Sequence, residues 1–119
     1  MSKTAEEILQ DAAAWLEENE WTQGVLFQWD NETGTVPVGA CAMGAIQMGA
    51  RKNVFDPKAL QSPEENKAIT LMIYQIRGGP IDDILHPIAR WNDQSWRTKE
   101  DVILALKGAA RHEVALYND

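Results

Sequence analysis

Cys41 is the one thiol in this chain of 119 residues, and His86 and His112 are its two imidazoles. A thiol in the first turn of a helix is acidified by the free backbone N–H groups and the helix dipole. With His86 as base and Asp93 to orient it, Cys41 would complete a nucleophilic set of the thiol-hydrolase kind. Around Cys41 there is no glycine elbow, strand-to-helix turn or nucleophile signature. A small buried hydrophobe therefore describes it better. A lone cysteine also excludes an internal disulfide and a multi-cysteine zinc site. The histidines lack metal-ligand spacing, so neither a metal nor a cofactor is expected. His86 precedes Pro87 at a helix break, and His112 sits near a helix C-terminus, where a cation is welcome. Asp82-Asp83 follow Pro80 and read as helix-start residues rather than a paired acid and base.

Asn92-Asp93 and the five tryptophans carry more promise for recognition. Asn and Asp in loops bond to nearby backbone, and Asp93 is expected either to cap the following turn or to accept from Trp21 or Trp96. Recognition of a ligand or partner is the second reading of this pair. Trp15 and Trp91 are expected in the core. Trp21, Trp29 and Trp96 fall at element ends or in a loop, where burial is harder. Two readings of those three stand side by side: interface anchors, or lids that close a hairpin onto helices. The candidate contact residues are thus Trp21, Trp29, Trp96, Asn92 and Asp93.

The elements that must position them follow from periodicity and punctuation. Thr4-Ala5-Glu6-Glu7 is a capping box opening a helix to about Asn19, with Ile8, Ala12, Trp15 and Leu16 on one face. Glu17 and Glu18 lie at its unfavourable end, so fraying is expected there. Val25 to Trp29 reads as a strand, Asp30 to Gly34 as a turn with Gly34 supplying positive φ, and Thr35 to Val38 as the return strand. Pro37 is expected to hold that return strand at an edge. Gly39 to about Arg51 is apolar or small on nearly every side, which marks a buried central helix. Ser62-Pro63-Glu64-Glu65 starts another, with Ile69, Met72, Ile73 and Ile76 inward and Gly78-Gly79-Pro80 as its stop. Ile81 to Arg90 is expected to be helical but broken or kinked at Pro87. Asn92 to Arg97 is a loop, and Thr98-Lys99-Glu100-Asp101 opens a last helix running to about Leu116. The fold expected is a single mainly α domain over 1–119. About five short helices pack around a central apolar one, with one small β-hairpin.

Composition narrows the function classes. Apolar residues make up 45%, which argues against disorder. The chain opens without an apolar signal core, and its longest uncharged run is broken by glycines and a proline, so a cytoplasmic location and no membrane span are expected. The net charge of −7 sits entirely in residues 1–34, where Lys3 faces eight carboxylates; the remainder is neutral. With a pI near 4.7 and no basic patch, nucleic acid is not an expected partner. A protein partner is favoured, and among proteins a basic one.

Three stretches form a pattern: Glu20-Trp21-Thr22-Gln23-Gly24, then Cys41-Ala42-Met43-Gly44-Ala45-Ile46, then Trp91-Asn92-Asp93 with Arg97-Thr98-Lys99-Glu100-Asp101-Val102. In that order and spacing the chain resembles a family of small uncharacterised proteins from actinobacteria and their phages, over about residues 5–110. It departs from that pattern at Thr22, often Cys in the family, at Ala40, often aromatic, and at Gln94-Ser95-Trp96, which replaces a shorter glycine-containing loop. The resemblance implies no activity, but it suggests a phage-type accessory protein. The function expected is a non-enzymatic module that binds a host protein. A small enzyme using Cys41 with a histidine and an acidic DNA mimic built on the first helix are the alternatives. Homodimerisation would suit the glycine-rich helix and surplus tryptophan.

Overall fold

The computed structural model describes residues 3–51, 62–76 and 87–117, with side chains described up to His112. Within them lie five helices, α1 (Ala5–Glu18), α2 (Ala42–Ala50), α3 (Pro63–Ile76), α4 (Pro87–Asn92) and α5 (Lys99–Tyr117). Three short strands, β1 (Glu20–Trp21), β2 (Phe27–Trp29) and β3 (Pro37–Ala40), complete the fold. The protein is mainly α with a small β component, as its periodicity implies.

The helices begin where side chains can take up their free N–H groups. At α1, Thr4 Oγ1 accepts from Glu7 N and Glu7 accepts in return from Thr4 N, a full capping box. At α3, Ser62 Oγ accepts from Glu65 N. At α5, Thr98 and Asp101 exchange the same reciprocal bonds, with Asp in the usual Glu position. Pro87 is the first residue of α4, where its missing N–H leaves nothing unsatisfied. The expected helix from Ile81 and the stop at Gly78-Gly79-Pro80 lie outside the described residues, as do Asp82-Asp83 and His86.

The end of α1 corrects the expectation of fraying. The helix runs regularly to Glu18 because other elements supply the cations it lacks. Lys99 Nζ donates to Asn19 O at 2.7 Å, and Lys107 Nζ lies 2.9 Å from Glu17. Basic groups at a helix C-terminus satisfy its carbonyls and oppose its dipole wherever in the chain they come from.

The hairpin gains a third strand. β3 lies between β1 and β2, parallel to β1 and antiparallel to β2, with a register shift at Gln28/Trp29. Pro37 therefore does not hold an edge strand. It is the first residue of the central one, paired only with Trp29, before the two-residue β1 begins opposite Gly39. Two residues give β1 no readable alternation. The β2–β3 turn closes on Asp30, whose carboxylate accepts from the backbone N–H groups of Thr33, Thr35 and Val36; these bonds hold its pKa well below the usual carboxylate range. Gly34 has the expected positive φ, 66°.

The core is built from Ile8, Leu9, Leu16, Ile46, Leu71, Met72, Ile88 and Leu106 with small residues between them. α2 meets α1, α3, α4 and β3, while α1 also meets α3 and α5, so the apolar helix shares the centre with α1. It is shorter than expected at its start, since Gly39 and Ala40 belong to β3. Its glycines let backbone approach backbone. A Cβ on Gly49 would lie 2.4 Å from Ile8 O of α1, and one on Gly44 would lie 2.4 Å from Leu26 O. Arg51, the C-cap of α2, reaches Glu65 of α3 through paired bonds of 2.8 and 2.7 Å, and Glu65 is 1% exposed. No helix among the described residues is long and apolar enough to cross a membrane.

Candidate functional site

Asn92, the last residue of α4, is fully buried and joins three segments distant in sequence. Its Oδ1 accepts from Trp21 Nε1 at 2.7 Å and from Ala42 N at 2.9 Å. Its Nδ2 donates to Thr22 O at 3.0 Å and to Asp93 Oδ1 at 2.9 Å. Both ends of the amide are used, and both roles are needed. The acceptor end serves a free N–H at the start of α2 and an indole N–H; the donor end serves a carbonyl that leaves β1.

The neighbouring residues extend the knot. Asp93 Oδ1 also accepts from Gly24 N at 3.0 Å. Gln23 Nε2 donates to Asn92 O and Gln94 O, at 3.0 and 2.8 Å. Thr22 N donates to Ala40 O and its hydroxyl to Val25 O. On the other side, Arg97 donates through Nε to Trp91 O and stacks its guanidinium 4.0 Å above the Trp91 ring. The loop after α4 is thereby sewn to the loop after β1.

Asp93 is thus the acceptor expected of it, but for a glycine N–H; the tryptophan bond goes to Asn92. Trp21 is half-buried with its polar tip satisfied. Trp29 is half-buried, 5.3 Å from the Phe27 ring. Trp96 stands 69% exposed in the turn directly after Gln94. Trp15 and Trp91, expected in the core, pack against its rim half-buried. The knot brings together Trp21, Asn92 and Asp93 but not Trp29 or Trp96, and Asn92 lies beneath the surface as a positioning residue. Gln23, Gly24 and Arg97 belong to the site as well. Gln23 and Gly24 join it across about seventy residues, a separation that leaves no local signal, while Arg97 joins through Trp91, six residues before it.

Against expectation, Cys41 does stand at a strand-to-helix turn, between the end of β3 at Ala40 and the start of α2 at Ala42, and it caps α2, its Sγ accepting from Gly44 N at 3.4 Å. Burial pushes the thiol pKa up, and the nearby Asp93 charge pushes the same way, so the proton stays on sulfur at neutral pH. The surroundings oppose the acidification that a helix N-terminus alone would bring. His112 lies on α5, 2.6 Å from Gln75 of α3. Nor do the carboxylates of α1 form a free double row: Glu7 serves the cap, Asp11 pairs with Lys3, and Glu17 pairs with Lys107.

Over the knot lies a surface groove. A hollow of about 180 Å³ is walled by Val25, Leu26, Cys41 and Met43, with Ala89 and Asp93 closing one side. Ala89 and Asp93 are also walls of a second hollow of about 270 Å³, completed by Arg90 and Gln94. Val25 and Leu26 are exposed, at 54% and 42%. Among the described residues no group of three or more His, Cys, Asp or Glu is placed to hold a metal ion.

A family model matches residues 1–112. The chain belongs to DUF6197, a family of unknown function. The three stretches that carried the resemblance to an uncharacterised family are the ones that meet at Asn92. No curated protein and no solved structure matches the DUF6197 chain.

Proposed function

We propose that the chain is a non-enzymatic protein-binding module, a phage-type accessory protein that engages a host protein through the groove above Asn92. The carrying observation is the division of labour at that place. The polar groups of the knot bond to one another and fix three loops, while the wall they hold up is apolar and exposed at Val25 and Leu26. A catalytic site needs polar groups aimed at a reacting atom; a docking site needs a shaped apolar surface on a rigid base. The protonated, buried thiol of Cys41 supports the same reading. Trp96, exposed two residues after the groove residue Gln94, is suited to anchor the rim of a contact. The acidic balance of the chain favours a basic partner over a nucleic acid.

The test is affinity capture from an actinobacterial lysate with the full chain, its Val25→Glu variant and its Leu104→Glu variant, followed by mass spectrometry. Leu104 is more exposed than Val25, at 67% against 54%, and lies on α5 outside the groove walls, on a separate hollow that it shares with Trp91 and Arg97. Capture of one specific protein by wild type and Leu104→Glu, with loss in Val25→Glu, is expected. Equal capture by all three would reject the groove as the contact surface.

A further inference from the structure

We propose that the groove takes a peptide segment of a partner in which a large aliphatic side chain is flanked by lysine or arginine. This rests on the binding-module reading and gives it a ligand chemistry. The smaller hollow, about 180 Å³, is below the size of the sites that hold cofactors or drug-sized molecules and suits a single side chain. Val25, Leu26 and Ala89 offer it only hydrocarbon, and Met43 adds a flexible thioether that adapts to the shape of its occupant.

The sign of the flanking charge follows from Asp93, the exposed wall shared by both hollows. Its Oδ1 accepts from Gly24 N and Asn92 Nδ2. Both donors are neutral, so they orient the carboxylate and leave its charge in place. Arg90 lines the larger hollow but not the smaller one, so among the described residues Asp93 is the one charged side chain on the walls of the smaller hollow. A cation beside the aliphatic group therefore meets a fixed carboxylate, in the field of a protein with net charge −7. The segment binds with its aliphatic side chain inside and a basic neighbour over Asp93.

Three blocked tripeptides test this against the ¹⁵N-labelled full chain at millimolar concentration: acetyl-Arg-Leu-Arg-amide, acetyl-Glu-Leu-Glu-amide and acetyl-Arg-Ser-Arg-amide. The first is expected to shift the amides of Val25, Leu26 and Met43 saturably. The acidic peptide should bind about threefold or more weakly, the usual worth of an exposed ion pair, and the serine peptide should bind more weakly still. Asp93→Asn keeps an acceptor for Gly24 N and removes the charge, so it should abolish the preference between the first two peptides. Equal binding of the basic and acidic peptides to wild type would overturn the charge assignment. Silence of the groove amides with every peptide would overturn the proposal as a whole. If Val25→Glu still loses its lysate partner in that case, the module reading stands and only this ligand class falls.

Discussion

Replacing Asn92 by Asp is the sharpest probe of the knot, because it changes hydrogen-bond polarity while keeping shape. The acceptor bonds from Trp21 Nε1 and Ala42 N survive. The donor bonds to Thr22 O and Asp93 Oδ1, at 3.0 and 2.9 Å, become contacts between acceptors. One of those contacts sets carboxylate against carboxylate at a residue with no solvent exposure. Leaving a charge buried without a partner costs about 3–5 kcal/mol. We expect a loss of about 4 kcal/mol at neutral pH, a large share of the roughly 5–15 kcal/mol that holds a domain together. Asn92→Ala should lose about 3 kcal/mol by a different route. It strands a buried N–H at the start of α2 and an indole N–H, each costing about 1–3 kcal/mol, with some relief if water enters.

Acid separates the two variants. In the folded protein the introduced carboxyl has its pKa raised, by burial and by Asp93. Its penalty is therefore complete above that raised value and disappears as pH falls toward the ordinary carboxylate value near 4. Protonated, it can again donate to Thr22 O. The deficit of Asn92→Asp relative to wild type should shrink between pH 7 and about pH 4.5, and that of Asn92→Ala should not. Urea unfolding followed by tryptophan fluorescence reads both, with Trp21 reporting from inside the knot. An Asn92→Asp deficit below about 1 kcal/mol at pH 7, or one that does not change with pH, would refute this account of the site.

Gly49→Ala should destabilise by about 2 kcal/mol in the same assay, since a clash with α1 backbone that cannot yield takes the upper end of the overpacking cost, about 3 kcal/mol, and helix propensity returns about 1. Gly108→Ala meets only the flexible end of Gln75 and should be neutral or slightly stabilising. The Cys41 thiol should react with a neutral disulfide reagent at pH 7.5 much more slowly in the native protein than in urea; comparable rates would show the sulfur to be open and acidic. Arg51→Met should cost about 3–5 kcal/mol by stranding Glu65, and adding Glu65→Leu should recover most of it, because a buried pair replaced together by apolar groups is close to neutral.

The helices were legible because their signals are local. A capping box spans four residues, an inward stripe repeats every third or fourth, and proline marks a first turn; Thr4, Ser62 and Thr98 each act as the pattern requires. The misplacements came from contacts between distant residues. Pro37 looked like an edge residue because β1 is too short to be seen as a strand. The α1 terminus looked frayed because its cations, Lys99 and Lys107, come from the other end of the chain. Glu65 looked like an ordinary first-turn acid, yet it is buried against Arg51.

Asn92 belongs to the same class and explains why such residues escape periodicity. The segments it joins, at Trp21-Thr22, Ala42 and Asp93, are too short or too irregular to be placed by an apolar stripe. Hydrophobic burial is non-directional, so it could bring them together without fixing their relative position. A buried amide is directional at both ends and tolerates only one arrangement of its two donors and two acceptors. The groove walls at Val25 and Leu26 leave β1 through Thr22, and Met43 follows Ala42. The bonds of Asn92 below the groove therefore help to set its shape, together with those of Asp93, Gln23 and Thr22 and the bond from Cys41 N to Leu26 O. If the groove is the contact surface proposed above, a variant that loosens Asn92 without unfolding the core should keep its helical content and capture no lysate partner, which is how a positioning residue differs from one that merely stabilises.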